Sequence, residues 1–395
     1  MRAVLLAVIC AALGAGAALG IGRATGLLGS STRETVVVRG PAAGAAGALA
    51  AARAAVLPAI GSAFAPARIY AARAPGVVTV FAYSGVSGAQ GSGFVVAPDG
   101  LILTNAHVIT DAGEVGVGAS VKPAARVYVE FSDHDRVSAQ IVGWDVFDDV
   151  GVLRVAPAAH RLVPLPLGRS AAVVVGEPVA SIGSPLGNED SLAIGVVSAV
   201  GRSIAALTAA RYQLVDAIQT DAPIAHGSSG GPLLDAAGRV IGITAQIRDD
   251  NGGPAGIGFA VPIDSARRSL HDLVATGHVD YAYAGLQTED LTPALAQHLR
   301  LNASHGALVD AVSPGGPAAR AGVRGGSREV EFDGEAVRLG GDVILAVNGA
   351  PVRSADDVVR IVTNDLRPGQ AAVFTVLRAG RQRSLVLHLT TRAAS

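Results

Sequence analysis

The chain has 395 residues, of which 50% are hydrophobic and 16% are charged, and its formal net charge is −1. This charge excludes binding to nucleic acid, or to an acidic membrane surface, through bulk electrostatics. The only cysteine is Cys10, which excludes disulfides and cysteine-based metal sites from the rest of the chain, and the histidines lack metal-ligand spacing, so we expect no metal and no other cofactor.

The N-terminus predicts export of everything that follows it. Residues 3–22 carry no charge, and this stretch just reaches the length that a helix needs to span a bilayer. We expect residues 1–22 to form a signal anchor, which would hold the rest of the chain at the membrane in the cell envelope. The alternative is a signal peptide with Ala15-Gly16-Ala17 as its cleavage site, and a secreted product. Residues 23–65 are rich in alanine and glycine and predict a linker.

Residues 66–277 predict a mainly β domain that follows one short helix. The helix is predicted over Pro66–Arg73 and is stopped by Pro75-Gly76. Short apolar runs between glycine, proline and aspartate then predict two groups of strands. The first group is Val77–Tyr83, Gly93–Val96, Leu101–Thr104, Val127–Phe131, Gln140–Gly143 and Val150–Val155. The second group is Pro178–Ile182, Leu192–Val200, Leu214–Gln219, Pro232–Leu234, Val240–Ala245 and Gly258–Val261. Two such groups indicate two packed barrels with a site between them.

A helix is predicted to close this domain. Asp264 is expected to cap a helix over Ser265–Ala275, and Gly277 is expected to end it. We place the domain boundary there, which leaves residues 279–395 as a separate and smaller module.

The smaller module combines helix and strand signals. Thr292-Pro293 predicts the start of a short helix, and Ser354 predicts the capped start of a second helix that reaches Asp365. Two strands and the hairpin signal between them are predicted at Val373–Leu377, Ala379-Gly380 and Leu385–Leu389. The insertion Gly325–Gly340 carries an acidic run, Glu329–Glu335, which predicts a solvated segment. Calcium binding is the alternative, although the run lacks the ligand spacing of an EF-hand.

Three residue types in one order indicate acyl transfer. Ser229 lies in the glycine-rich segment Gly227–Gly231, which exposes a hydroxyl and frees backbone N–H groups to bind an oxyanion. His107 is the candidate base, and Asp148 or Asp149, which lie between the two in sequence, is the candidate orienting acid. The order His, Asp, Ser is that of chymotrypsin and differs from the orders of subtilisins and α/β-hydrolases. Strand periodicity does not decide between the two aspartates.

Seven motifs in one order make the chain resemble the HtrA/Deg family of trypsin-like serine proteases. They are Gly91–Val96, Leu103–Val108, Asp149–Leu153, Gly201-Arg202, Gln219–Ala222, Gly227–Leu233 and Gly256–Pro262. The tail resembles a PDZ domain at Gly285-Leu286, Gly306–Val309, Ala321–Val323, Gly341–Ile344 and Val347–Gly349. The resemblance implies a mainly β fold, with a two-β-barrel, chymotrypsin-like protease domain over residues 66–277 and an α+β PDZ domain over residues 279–395.

The resemblance also assigns roles to single residues. His107 is similar to the family's general base, Asp149 to the carboxylate that orients it, and Ser229 to the nucleophile. By the same alignment, the backbone N–H groups of Gly227 and Ser229 would form the oxyanion hole. Two positions differ from the family, which usually has asparagine where this chain has Ser228, and Asn-Pro or Asn-Arg where it has Ala225-His226.

The implied function is that of a serine endopeptidase which cleaves unfolded or damaged cell-envelope proteins through an acyl-enzyme and which assembles as a homotrimer. Because Pro223-Ile224-Ala225 offers no acid for an arginine or lysine pocket, we expect an aliphatic residue such as Val or Ala at the cleaved position. The four residues Tyr283, Ala284, Gly285 and Leu286 resemble the family's carboxylate-binding loop, which implies capture of a C-terminal peptide. Two alternatives remain open: a catalytically weak, protease-like chaperone, or an adaptor that recruits partners through the PDZ domain.

Overall fold

The computed structural model describes residues 64–85, 87–112, 120–183, 191–205, 213–225, 227–245 and 257–392. The predicted anchor or signal peptide, and the linker up to residue 63, lie outside these residues. Within the described ranges, no helix is both long enough and apolar enough to cross a membrane.

The first barrel follows helix α1 (Pro66–Arg73) and has the strand order β1-β2-β3-β6-β5-β4. Its strands are β1 (Val77–Ser84), β2 (Ser87–Val95), β3 (Leu101–Thr104), β4 (Arg126–Glu130), β5 (Arg136–Asp145) and β6 (Val150–Arg154). A single-turn helix, α2 (Ala106–Ile109), begins two residues after β3 ends. The chain therefore carries His107 away from the barrel wall at the point where a core strand stops.

The second barrel has the strand order β10-β11-β12-β9-β8-β7. Its strands are β7 (Pro178–Gly183), β8 (Ser191–Ala205), β9 (Gln213–Thr220), β10 (Pro232–Leu234), β11 (Val240–Ala245) and β12 (Gly258–Pro262). Both predicted groups of strands are confirmed, although β2, β5 and β8 are longer than their apolar runs because polar residues continue the pairing.

One hydrophobic core joins the two barrels. Phe94 and Leu103 of the first barrel belong to the same buried cluster as Ile182, Leu234 and Ile243 of the second, and all five side chains are fully buried. Burial of each such side chain contributes on the order of 1.5–3 kcal/mol. Because the core is continuous, residues at the facing ends of the barrels are fixed relative to each other.

Helix α3 (Ile263–Thr276) follows β12 directly. The predicted capping role of Asp264 is wrong, since the N-cap position is Pro262 and makes no side-chain capping bond. The Asp264 carboxylate instead accepts hydrogen bonds from Ser170 Oγ at 2.9 Å and Ala171 N–H at 3.0 Å, so it ties the helix start to a neighbouring turn. The predicted end is confirmed by Gly277, which has φ +80° and donates its N–H to the helix.

The smaller module contains an antiparallel sheet of strand order β14-β15-β18-β20-β21, in which β19 also pairs with β18. Its strands are β13 (Ala282–Tyr283), β14 (Leu286–Asp290), β15 (Ala307–Val312), β16 (Arg328–Phe332), β17 (Glu335–Leu339), β18 (Val343–Val347), β19 (Ala350–Pro351), β20 (Ala371–Arg378), β21 (Arg381–His388) and β22 (Thr390–Thr391). Its helices are α4 (Pro293–His298), α5 (Pro317–Arg320) and α6 (Ala355–Arg360), and a π-helical turn (Ile361–Asp365) extends α6.

Local signals in this module are largely confirmed. Ser354 Oγ accepts a hydrogen bond from Asp357 N–H at 3.2 Å, which caps α6 as predicted. The β20–β21 hairpin turns through Ala379 and Gly380, whose φ angles are +48° and +75°, a pair of positive values that type I′ turns require.

The acidic insertion is less solvated than the sequence predicts. It forms the antiparallel hairpin of β16 and β17, and the side chains of Val337 and Leu339 are buried in the core of the module. Glu329, Glu331 and Glu335 are exposed, as predicted. The segment therefore alternates between core and solvent like any half-buried strand, a pattern hidden by its high charge.

Candidate active site

Ser229 lies in a tight turn that packs against the first barrel. Ser92 N–H donates to Ser229 O at 2.7 Å, and Gly230 N–H donates to Thr244 O at 2.8 Å. Gly230 has φ +89°, and a Cβ at this position would lie 2.1 Å from Ser92 O. Only glycine meets both requirements. The glycine-rich motif therefore allows the backbone that carries the serine to lie directly against β2.

His107 contacts Asp149 through both its side chain and its backbone. Its Nδ1 lies 2.7 Å from Asp149 Oδ2, and its N–H donates to Asp149 Oδ1 at 3.0 Å. Asp149 has φ +51°, and Asn105 Nδ2 donates to its carbonyl at 2.8 Å. The Asp149 side chain is 4% exposed and that of His107 is 17% exposed. A buried carboxylate on Nδ1 leaves Nε2 to exchange protons, which is the arrangement that a general base requires.

The segments that carry His107 and Ser229 both approach Gly91. A Cβ on Gly91 would be 2.7 Å from both methyl groups of Val108 and 3.0 Å from Ser229 O. Val108 follows His107 directly. The histidine helix of the first barrel and the serine turn of the second therefore both pack close to Gly91.

The two aspartates that the sequence left open have different partners. Asp149 contacts His107, whereas Asp148 Oδ2 lies 2.6 Å from Arg268 Nη2 of α3. Both carboxylates are buried. The geometry thus favours Asp149 as the residue that orients the histidine, and it gives Asp148 a separate ion pair.

A buried polar cluster of Asp145, Asp148, Arg268, Ser269 and Tyr281 lies behind the Asp149 turn. Asp145 Oδ2 accepts hydrogen bonds from Tyr281 OH at 2.5 Å and from Ser269 Oγ at 2.7 Å. Burial, together with the negative charge of Asp148, raises the pKa of Asp145 to about 6. Burial and the same two carboxylates raise the pKa of Tyr281 well above its usual value.

Sequence analysis did not find this cluster. Arg268 is 120 residues from Asp148 along the chain, and nothing in the α3 pattern marks it as buried. The sequence does place three carboxylates, Asp145, Asp148 and Asp149, in one short turn. Neighbouring buried carboxylates need a cation or a proton, so this density could have indicated a buried partner such as Arg268.

Arg268 also reaches the smaller module. Its Nη1 donates to Asn364 Oδ1 at 2.9 Å, and Asn364 Nδ2 donates to Asp216 Oδ2 at 3.1 Å. Asp216 lies on β9 with φ +61°, and burial raises its pKa. One guanidinium therefore connects the turn that presents Asp149 to the π-helical turn of the smaller module.

A pocket of about 420 Å³ opens beside the serine turn. Its lining residues come from β7, from the start of β8 and from the segment that leads into the turn. They are Ser181, Gly183, Ser191, Leu192, Ala193, Ile194, Pro223, Ala225 and Ser228. None of these described lining residues is charged. Leu192 and Ile194 remain 38% and 52% exposed, so the pocket presents aliphatic surface to an incoming chain.

The four residues that resemble a carboxylate-binding loop lead into β14. Gly285 has φ +73°, and its carbonyl accepts from Ser313 N–H at 3.0 Å, while Ala284 O accepts from Ala318 N–H at 2.9 Å. Leu286 is half-buried and begins β14, which pairs on one side with β15. The loop thus precedes the outer strand of the sheet, where an added peptide strand could pair. Tyr283 OH shares a hydrogen bond with Ser313 Oγ at 2.7 Å.

Two parts of the chain match known domain families. Residues 91–243 match the trypsin-like peptidase domain, and residues 282–389 match the PDZ domain. A probable periplasmic serine endoprotease, DegP-like, from Pseudomonas savastanoi pv. phaseolicola is 37% identical over 297 residues, which cover 75% of this chain and 55% of the relative. A putative serine protease HhoA from Synechocystis sp. is 37% identical over 305 residues, which cover 75% of this chain and 69% of the relative. The chain therefore spans about half the length of the DegP-like relative.

Solved structures give the same result for the fold. A structure of the HtrA-type protease AlgW with a tripeptide matches with a TM-score of 0.69 and 31% identity, over 84% of this chain and 98% of that one. The serine endoprotease from Yersinia pestis matches with a TM-score of 0.59 and 28% identity, over 83% and 98%. Both likenesses extend over most of the described residues.

Proposed function

Because the chain belongs to the HtrA/Deg family of trypsin-like serine proteases, we propose that it is a serine endopeptidase which cleaves unfolded or damaged proteins of the cell envelope. The observation that carries the proposal is the contact of 2.7 Å between His107 Nδ1 and the buried Asp149 carboxylate, next to the turn that holds Ser229. In this assignment the protease domain covers residues 66–277 and the PDZ domain covers residues 279–395.

The chemistry proceeds through an acyl-enzyme. His107 Nε2 takes the proton of the Ser229 hydroxyl as its oxygen attacks the scissile carbonyl, and the backbone N–H groups of Gly227 and Ser229 bind the oxyanion that forms. The imidazolium then gives its proton to the leaving amine. Water, deprotonated by the same histidine, releases the acid product and restores the serine. Asp149 holds the imidazole in the required tautomer throughout.

The substrate class follows from the pocket beside the nucleophile. An aliphatic residue at the cleaved position fits a lining of Leu192, Ala193 and Ile194, whereas an arginine or lysine would be buried there without a carboxylate among the described lining residues. Backbone pairing of the substrate as a strand requires an extended chain. Unfolded proteins supply such segments, and folded proteins supply few.

Location and partners are proposed from the relatives and from the resemblance. The name of the DegP-like relative includes the word periplasmic, which supports a place in the cell envelope. We assign residues 1–22 as an anchor or cleaved signal, the loop Tyr283–Leu286 as the site for a C-terminal peptide, and a homotrimer as the assembly. The AlgW structure that contains a tripeptide supports peptides as ligands.

Cleavage of β-casein by the wild type and by Ser229→Ala tests the enzymatic assignment. We expect the substitution to lower kcat by a factor on the order of 10³ or more, because it removes the nucleophile. Ser138→Ala is the control and should retain wild-type cleavage, since it deletes an exposed hydroxyl of β5 that lies neither in the serine turn nor in the lining of the pocket beside it. If wild type and Ser229→Ala both cleave negligibly, the result would favour the alternative of a protease-like chaperone that binds unfolded chains without cutting them.

A further inference from the structure

Three consecutive carbonyls of the serine turn are held by residues from both barrels. Gly227 O accepts a hydrogen bond from Ser92 Oγ at 2.6 Å, and Ser228 O accepts one from Thr244 Oγ1 at 2.6 Å. Ser229 O accepts from Ser92 N–H at 2.7 Å. Ser92 lies on β2 of the first barrel and Thr244 on β11 of the second, and both are fully buried.

The hydroxyl of Thr244 acts on the same peptide unit that carries a proposed oxyanion donor. A trans peptide is planar, so its C=O and N–H point to opposite sides of one rigid group. Fixing the direction of Ser228 O therefore fixes the direction of Ser229 N–H. A donor aimed in advance at the developing negative charge stabilises the transition state without reorganisation.

The Thr244 hydroxyl makes its short bond to Ser228 O and a longer one, at 3.1 Å, to Gly231 O. Both are separate from the backbone contacts that hold the fold. Thr244 N–H donates to Gly231 O at 2.8 Å, and Thr244 O accepts from Gly230 N–H at 2.8 Å. Ser228 O also accepts from Gly231 N–H at 3.1 Å. Loss of the hydroxyl therefore leaves β11 attached to the turn and leaves Ser228 O with a partner, while it removes the shorter of the two bonds that orient the peptide.

We propose that Thr244 is a positioning residue for the oxyanion hole, which acts by orienting the Ser228–Ser229 peptide. Ser92 Oγ differs in kind, since it holds the carbonyl of the preceding peptide, whose N–H belongs to Ser228 and donates to Ala225 O at 2.9 Å. The inference rests on the proposed function, and it adds a residue that makes no contact with the reacting atoms.

Thr244→Val tests the proposal, because valine keeps the shape of threonine and removes the hydroxyl. With a short peptide substrate we expect kcat to fall by about tenfold or more, which is part of the roughly 10²–10³-fold loss that follows deletion of a whole oxyanion donor. KM should stay within about twofold, since the ground-state carbonyl depends less on the donor. A peptide aldehyde, whose adduct with the serine places an oxygen in the hole, should bind more weakly by a similar factor.

Two variants serve as controls. Thr244→Ser keeps the hydroxyl and should retain wild-type kcat and aldehyde affinity. Thr220→Val removes another fully buried hydroxyl of the second barrel, one that donates to Val196 O at 2.8 Å and accepts from Ala222 N–H at 3.1 Å, both outside the serine turn. It should leave both quantities near the wild-type values, and the thermal unfolding midpoints of Thr220→Val and Thr244→Val should be similar.

The outcomes separate this inference from the proposed function. An active wild type with an equally active Thr244→Val overturns the positioning role alone. The same is true if Thr220→Val loses as much kcat as Thr244→Val, since a general loss of packing would then explain both. A wild type no more active than Ser229→Ala overturns the proposed function and this inference with it.

Discussion

Asp145 should make the stability of this protein depend on pH in an unusual direction. Its carboxylate is buried behind the Asp149 turn, and burial with the nearby charge of Asp148 raises its pKa from 3.8 to about 6. In the unfolded chain the group returns to its ordinary pKa. Between these two values the native state binds more protons than the unfolded state, so the free energy of unfolding falls as the pH rises through this range.

The size of the effect follows from the two pKa values. The difference between 3.8 and about 6 corresponds to roughly 3 kcal/mol at about 1.4 kcal/mol per pKa unit. This stabilisation is fully present at acid pH below the unfolded pKa and is lost above the folded pKa. A loss of roughly 3 kcal/mol is large beside the 5–15 kcal/mol that typically separates native from unfolded states.

Urea unfolding from pH 4 to pH 7 measures this effect. We would use the Ser229→Ala background, which prevents self-digestion, and compare it with the same background carrying Asp145→Asn. The asparagine has a similar shape and does not titrate, so all other groups cancel in the difference between the two profiles. Over this range the parent should lose roughly 2–2.5 kcal/mol relative to the variant, since at pH 4 the unfolded group is already partly ionised. Parallel profiles would refute the argument, since they would mean that Asp145 does not change its charge in this range.

Two further predictions concern the Arg268–Asp148 ion pair and the pocket beside the serine turn. Arg268→Leu should lower the free energy of unfolding by about 3–5 kcal/mol, because it leaves Asp148 buried without its cation. Arg267→Leu breaks the more exposed pair with Asp264 and should lower it by less than about 1 kcal/mol. Similar losses for the two variants in urea unfolding would contradict the importance of the buried pair. In a series of peptides that differ at the cleaved position, kcat/KM for Val or Ala should exceed that for Arg by about tenfold or more, since the described pocket lining offers no carboxylate. Efficient cleavage after Arg would contradict the assignment of this apolar pocket to the cleaved residue.

Local patterns in the sequence were sufficient for the strands of both barrels, for the β20–β21 hairpin and for the end of α3. The alternation that predicts Val373–Leu377 survives in β20, where Phe374 and Val376 are buried, because a half-buried strand must alternate whatever its neighbours are. The Asp264 cap failed for a tertiary reason. Its carboxylate accepts hydrogen bonds from Ser170 and Ala171. These residues lie more than 90 residues before α3 in the chain, so the sequence around α3 does not indicate the contact.

The residues of the candidate site also fall into those that local sequence predicts and those that depend on distant contacts. The glycines around Ser229 are readable from sequence because their backbone geometry is a local requirement, and Gly230 indeed has the positive φ that such a turn needs. The choice between Asp148 and Asp149 depended on which carboxylate faces His107 and which faces Arg268, and both contacts span long stretches of chain. The hydroxyls of Ser92 and Thr244 were equally invisible, since a buried threonine in an apolar run looks like any strand residue.

The division of the proposed triad between two barrels has a consequence during synthesis. A ribosome that has released only the first barrel has made His107 and Asp149 but no nucleophile, and the hydroxyl of Ser229 arrives with a barrel whose last strand ends at Pro262. With the proposed triad, a nascent or half-folded chain would be inert towards its neighbours. Hydrolytic capacity would appear only in a molecule that has already finished folding its protease half.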